Sequence, residues 1–219
     1  MPTEPSTAPS PPSDNEIIER VLGGELAQFE HLMRRHNARV YRAARAILRD
    51  DSEAEDVMQD TFVRAYEHLR QFEQRARFST WLTRIAVHEA LARVRKAKRF
   101  APLDAHAEES PMPSVPGPEQ QASAGELRSL LDAAVTRLPD DFRAVFVLRD
   151  VEGMTGAETA DCLGIPEETV KTRLHRARAR LQQTLLATIE PELHNVYSFH
   201  LSRCDRVVDA VLRRISARQ

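Results

Sequence analysis

TGAETADCLGIPEETVKTRLHRARARLQQTLL, residues 155–186, decides the architecture of this chain. Thr155 stands where its hydroxyl can accept from the first turn of a short helix. Glu158, three residues on, can reach back to the cap, which completes a capping box. Ala160 is small enough to let a second helix cross closely. Gly164 falls where the first helix must end in a left-handed residue. Pro166, Glu167 and Glu168 then start a second helix, since proline and acids suit a first turn. Val170, Leu174, Ala177, Leu181 and Leu185 recur at helical spacing as its buried seam. Lys171, Thr172, Arg173, His175, Arg176, Arg178 and Arg180 occupy the remaining faces. The pattern is a helix-turn-helix, and its exposed basic helix suits a DNA major groove. An ordinary helical hairpin with a solvated basic face would not need cap, alanine, glycine and proline together at this spacing.

Upstream, Leu127, Leu130, Leu131, Ala134 and Leu138 give one more helical stripe, which Pro139 stops. Asp140 and Asp141 are expected to cap a further helix over Phe142–Val151. Before these lie residues 99–124, with five prolines and no helical period. They read as a proline-rich linker, with a root-mean-square reach of roughly 25–30 Å and a much longer full extension. Such a linker can hold two domains on sites more than one DNA turn, ~34 Å, apart. The N-terminal part reads as a second helical domain over 15–98. One helix is expected from Asp14 to Leu48 and another after Asp50, Asp51 or Ser52 as cap, with Ala54, Val57, Phe62 and Ala65 inward. Ser79 or Thr80 is expected to cap a third, through Trp81, Leu82, Ile85 and Ala86. Residues 1–14 are rich in Pro, Ser and Thr and are expected to be disordered.

Composition agrees with an all-α chain of two domains: 7 glycines in 219 residues and 5% aromatics leave little for turns and strands. The net charge of −2 does not announce a nucleic-acid binder. Its distribution does, because bases gather at Arg93–Arg99 and Lys171–Arg180 while acids gather at Asp50–Asp60. Two distant cysteines make no disulfide framework, and neither a membrane span nor a signal peptide is visible, so a cytoplasmic protein is expected. No phosphate loop, nucleophile motif or convincing metal cluster points to an enzyme or a cofactor.

Residues 138–181, LPDDFRAVFVLRDVEGMTGAETADCLGIPEETVKTRLHRARARL, resemble region 4 of the extracytoplasmic-function sigma factors. Residues 50–91, DDSEAEDVMQDTFVRAYEHLRQF followed by RARFSTWLTRIAVHEAL, resemble their region 2. The two occur in family order, so the resemblance covers roughly Leu22–Leu186 and implies a promoter-recognition subunit of RNA polymerase. Position by position, it implies that Asp56, Gln59, Asp60 and Arg64 dock on the clamp helices of the polymerase β′ subunit. It implies that Arg75, Arg77, Phe78, Ser79, Trp81, Arg84 and His88 meet the melted −10 element. Phe78 and Trp81 are also readable as core, and for Trp81 core packing is at least as good a reading. His88 stands where the family commonly has asparagine, so the −10 base preference does not carry over. Arg93, Arg95, Lys96 and Lys98 would meet the DNA backbone. Arg149, Thr169, Lys171, Thr172, His175 and Arg176 would meet the −35 element, and region 4 would also touch the β flap. An anti-sigma factor is a further implied partner. A stand-alone helix-turn-helix regulator is the competing reading, and the separate region-2 match argues against it.

Thr159 and Cys162 replace the larger aliphatics of the family and are expected to be partly buried. Residues 188–219 form a C-terminal extension outside the resemblance. His194, His200 and Cys204 are too few and too loosely spaced for a closed zinc site. Val207, Val208, Val211, Leu212 and Ile215 share one helical face, with Arg203, Arg206, Arg213 and Arg214 mostly elsewhere. A helix this short needs a partner surface, so this tail is expected to dock on one of the two domains.

Overall fold

The computed structural model describes residues 11–100 and 122–193, which form eight α-helices and a few short turns. The first unit holds α1 (Asp14–Leu22), α2 (Phe29–Leu48), α3 (Asp51–Glu67) and α4 (Phe78–Phe100). The second holds α5 (Ala122–Thr136), α6 (Asp140–Phe146), α7 (Gly156–Leu163) and α8 (Glu167–Leu193). The all-α fold class is as expected. The proline-rich stretch 101–121, residues 1–10 and the tail from 194, with His194, His200 and Cys204, lie outside the described residues.

The single helix expected from Asp14 to Leu48 is two. Ser13 caps α1 in a full capping box with Glu16. Gly23 and Gly24 then break it, Gly24 at φ +106°, a conformation that L side chains rarely adopt. The chain turns there so that Ile17, Ile18 and Val21 reach the same core as Leu32 and Val40 on α2. Asp50 caps α3, its carboxylate accepting from the Glu53 N–H at 2.8 Å.

Two expected caps and one expected helix differ from those observed. Neither Ser79 nor Thr80 caps α4: the Arg77 carbonyl accepts from the Thr80 and Trp81 amides, so Ser79 lies inside the first turn. Asp140 and Asp141 lie in the first turn of α6, after Pro139, whose carbonyl accepts from Phe142 and Arg143. Asp140 instead meets Arg49 at 2.6 Å and Arg143 at 2.7 Å. The helix expected over Phe142–Val151 changes register at Val147, continuing to Val151 as a wider turn.

Each unit has its own core. Ile17, Leu32, Leu69, Phe78 and Leu82 fill the first. Leu138, Ala177 and Leu181 fill one side of the second, and Val145, Val170 and Leu174 the other. A third cluster crosses between the units: Ala43, Ala44, Ile47, Ala54, Val57, Val87 and Ala90 pack with Ala144, Leu148, Met154 and Cys162. Alanines on α2 let α6 and its following turn approach closely, and α7 lies against α4.

Arg143 joins the units through polar contacts. It is buried, and its guanidinium donates to the Ala46 carbonyl at 2.8 Å and the Leu138 carbonyl at 3.0 Å. Ala46 lies in the last turn of α2 and Leu138 just beyond α5, so one side chain serves two helix ends that lack intrahelical donors. Burial pulls the Arg143 pKa down, and its bond to Asp140 works in the opposite sense.

Candidate nucleic-acid interface

The helix-turn-helix forms as its residues dictate. Thr155 caps α7 reciprocally with Glu158, whose carboxyl is held below its ordinary value first by the Thr155 N–H. Gly164 ends α7 at φ +65°, ψ +37°. The Pro166 carbonyl accepts from Thr169 and Val170 and opens α8. Thr159 and Cys162 are fully rather than partly buried. Burial pushes the Cys162 thiol up, which suits a small apolar filler rather than a nucleophile. The Thr159 hydroxyl oxygen has no hydrogen-bond partner.

The seven polar residues of α8 divide into two groups. Arg173 pairs with Asp141 at 2.6 Å, Arg178 with Asp150 at 2.7 Å, and Arg180 lies 5.2 Å from the Phe142 ring centre. These three hold α8 against α6 and the turn after it. Lys171, Thr172, His175 and Arg176 are exposed and form no ion pair with α6 or its turn. Thr169 is half-buried in the first turn, and Arg149 is half-buried with its guanidinium on the Met154 carbonyl.

In the first unit, Phe78 is buried at 2% exposure, in T-shaped contact with Phe72 and His36. Trp81 is half-buried beside Phe72 and Phe78, at centroid distances of 5.4 and 5.6 Å. Phe78 is thus a core residue here, and its ring offers no stacking surface in this conformation. Arg75, Arg77 and His88 are exposed, with Arg75 on Glu73 at 2.7 Å, while Ser79 is half-buried. Arg84 pairs with Asp161, and the Thr80 hydroxyl meets Glu158 at 3.2 Å. The first helix of the helix-turn-helix therefore lies across α4, a contact that no local sequence pattern signals.

Asp56, Gln59, Asp60 and Arg64 are all exposed on α3. Arg93 bridges Asp60 at 2.6 Å and Asp56 at 3.5 Å. Arg64 meets Glu89 at 2.7 Å. Gln59 borders an apolar groove of about 870 Å³ lined by Leu26, Phe29, Met33, Phe62, Val63 and Tyr66.

A second unanticipated group lies between the units. The Glu152 side chain is 0% exposed, and Arg42 reaches it at 2.5 Å and Arg39 at 3.2 Å. Arg39 also donates to the Glu152 carbonyl at 2.9 Å. The only sequence signal for this site is a glutamate immediately before Gly153. Among the described residues no cluster of His, Cys, Asp or Glu could hold a metal, and no helix is long and apolar enough to cross a membrane.

The family model for sigma-70 region 2 matches residues 32–100, and that for sigma-70 region 4 matches residues 128–181. The chain is 36% identical over 173 residues to the ECF RNA polymerase sigma factor SigM of Mycobacterium tuberculosis, covering 79% of this chain and 85% of SigM. It is 32% identical to SigW of Bacillus subtilis over 176 residues, covering 77% and 94%. Its fold is similar to that of the sigma factor RpoE solved with the anti-sigma factor NepR from Bartonella quintana. That match has a TM-score of 0.59 at 26% identity and covers 72% of this chain and 96% of the solved one.

Proposed function

Since this chain belongs to the extracytoplasmic-function sigma factors of the sigma-70 family, which direct RNA polymerase to promoters, we propose how its residues divide that work. The outer strip of α8 reads the −35 element in the major groove, with Arg176 and His175 toward base edges and Lys171, Thr172 and Thr169 toward phosphates. Arg149 supports that strip from the preceding turn. Asp56, Gln59, Asp60 and Arg64 on α3 meet the β′ clamp helices of core polymerase. Arg75, Arg77, Ser79, Arg84 and His88, with the edge of Trp81, meet the melted −10 strand, and Phe78 shapes that site from beneath. The domains divide within the linker read over 99–124, whose two ends belong to α4, which runs to Phe100, and to α5, which starts at Ala122. The β flap is a further contact of region 4, and the protein works in the cytoplasm.

One observation carries this division: Arg173, Arg178 and Arg180 are engaged by Asp141, Asp150 and the Phe142 ring, while Lys171, Thr172, His175 and Arg176 are exposed with no partner on α6 or its turn. Arg176→Ala tests it. Removing a bidentate hydrogen-bond pair to guanine at that position costs ~1–3 kcal/mol of −35 discrimination. In transcription with core polymerase, Arg176→Ala should narrow the gap between native and −35-mutant promoters, whereas Asp60→Ala should weaken both alike. Full discrimination by Arg176→Ala would remove the base-reading role.

An anti-sigma factor is the second partner we propose, supported by the likeness to RpoE, which is solved with NepR. The closed arrangement gives such a partner something to hold. With α7 over Thr80 and Arg84, the −10 face is partly covered, so engagement of a melted strand requires the two units to part.

A further inference from the structure

Two helices of the second unit carry apolar stripes beyond the point where they cover each other. On α5, Leu127, Leu130, Leu131, Ala134 and Leu138 form one stripe. Ala134 and Leu138 are buried against Ala177 and Leu181 of α8. One to two turns earlier, Leu127, Leu130 and Leu131 are 54%, 38% and 41% exposed. On α8, Leu185 is partly buried in the same cluster, while Leu186 is 53% exposed. Four leucines thus form an open extension of an existing core. Contiguous exposed apolar side chains of this kind mark an interaction surface.

We propose that residues 202–217 of this chain occupy that surface as a helix. Their apolar face, Val207, Val208, Val211, Leu212 and Ile215, spans nine residues, or about 12 Å of helix at 1.5 Å per residue. The exposed leucines of α5 span from Leu127 to Leu131, about 6 Å of helix, so an apolar face of about 12 Å covers them with about one turn to spare. Chain connectivity supplies the second argument. The tail leaves α8 at Leu193, two turns past Leu186. Doubling back from Leu193 to the level of Leu186 requires about 10 Å along the helix axis. Residues 194–201 extend to about 26 Å, ample for the reversal and for the step sideways onto α5. An intramolecular occupant on so short a tether also has an effective concentration in the millimolar range, ahead of a second copy at ordinary concentrations. The arginines at 203, 206, 213 and 214 lie mostly off the apolar face and remain in water. A partner that needs the α5 face therefore meets it already covered, and must displace the chain's own C-terminus.

Amide hydrogen exchange tests the placement in the full chain, in a chain ending at Leu193, and in the full chain carrying Val211→Asp. The amides of the first three turns of α5 should exchange at least tenfold faster in both altered chains than in the parent. Those of α6 and α7 should keep their protection, which separates a failure to dock from a failure to fold. The tail's own amides in the parent should be slow and should become fast in Val211→Asp. Equal exchange of α5 in the parent and both altered chains would overturn the proposal. So would α5 protection that fades as the parent is diluted from 100 to 1 µM, about the range that would reveal a second copy.

Discussion

Glu152→Gln should open the molecule without unfolding either unit. The carboxylate is wholly buried between Arg39 and Arg42, which come from α2, while Glu152 follows the wide turn after α6. Glutamine has the same size and leaves the Arg39 bond to the Glu152 carbonyl in place, so the substitution isolates the charge. Removing one partner from a buried ion pair costs about 3–5 kcal/mol, because the remaining charge is stranded. Here the stranded groups are the two arginines, whose side chains are 26% and 45% exposed, so water recovers part of the loss. About 2 kcal/mol is the expected residue, or roughly a thirtyfold shift toward the parted state. Hydrogen exchange should register it as faster exchange in α7 and in the α4 turns around Thr80 and Arg84. Core amides within each unit should stay slow. Arg42→Ala on top of Glu152→Gln should then add little, because their partner is already gone. Unchanged α7 exchange in Glu152→Gln, or full additivity of the two substitutions, would refute the idea that this pair holds the units together.

Thr159→Val should stabilise the protein by about 1 kcal/mol in urea unfolding, since the buried hydroxyl has no partner to lose and unpaired polar groups cost about 1–3 kcal/mol; a loss of stability would mean the hydroxyl is satisfied in solution. His36 has its pKa lowered, first by burial, while its Asp14 contact at 2.9 Å works against that shift. The unfolded chain therefore takes up the proton first, near the ordinary 6.5, so stability is full above that pH and declines as the pH falls toward the lower folded value. His36→Gln, which keeps a donor for Asp14, should flatten the melting temperature between pH 7.5 and 5.5; an equally steep decline in that variant would place the titration elsewhere.

Much of the fold was legible because its signals are local. The capping box at Thr155, the left-handed Gly164 and the seam of α8 each depend on residues within one or two turns. The family resemblance rests on two such local stretches, residues 50–91 and 138–181, which is why it places both units in order. The failures come from competition that a local pattern does not contain. Asp140 has the chemistry of a cap, but Arg49, just past α2, and Arg143 of α6 take its carboxylate, and Pro139 supplies the cap carbonyl. Gly23 and Gly24 lie within an apolar period that continues on either side, so the period hides the turn. Phe78 has the chemistry of a stacking residue, yet Phe72, Trp81 and His36 surround it.

Charged faces were harder to read than apolar ones for a physical reason. An apolar side chain declares its direction, because water excludes it. A cation on a helix flank is content in water or beside an acid, and periodicity gives only its angle around the axis. Whether that angle meets an acid depends on how the helix lies on its neighbours, and those acids are far away in sequence. Asp141 and Asp150 stand 28 or more positions before the arginines they meet. Once they are satisfied, the remaining α8 residues are not scattered. Lys171, Thr172, His175 and Arg176 stand at i, i+1, i+4 and i+5, which places them in one strip two side chains wide. Apart from Glu168 in the same first turn, no acid contacts that strip among the described residues. A helix presenting such a strip has donors aligned along its axis and only the exposed Glu168 contact to displace, which is the condition for reading a groove edge at little cost.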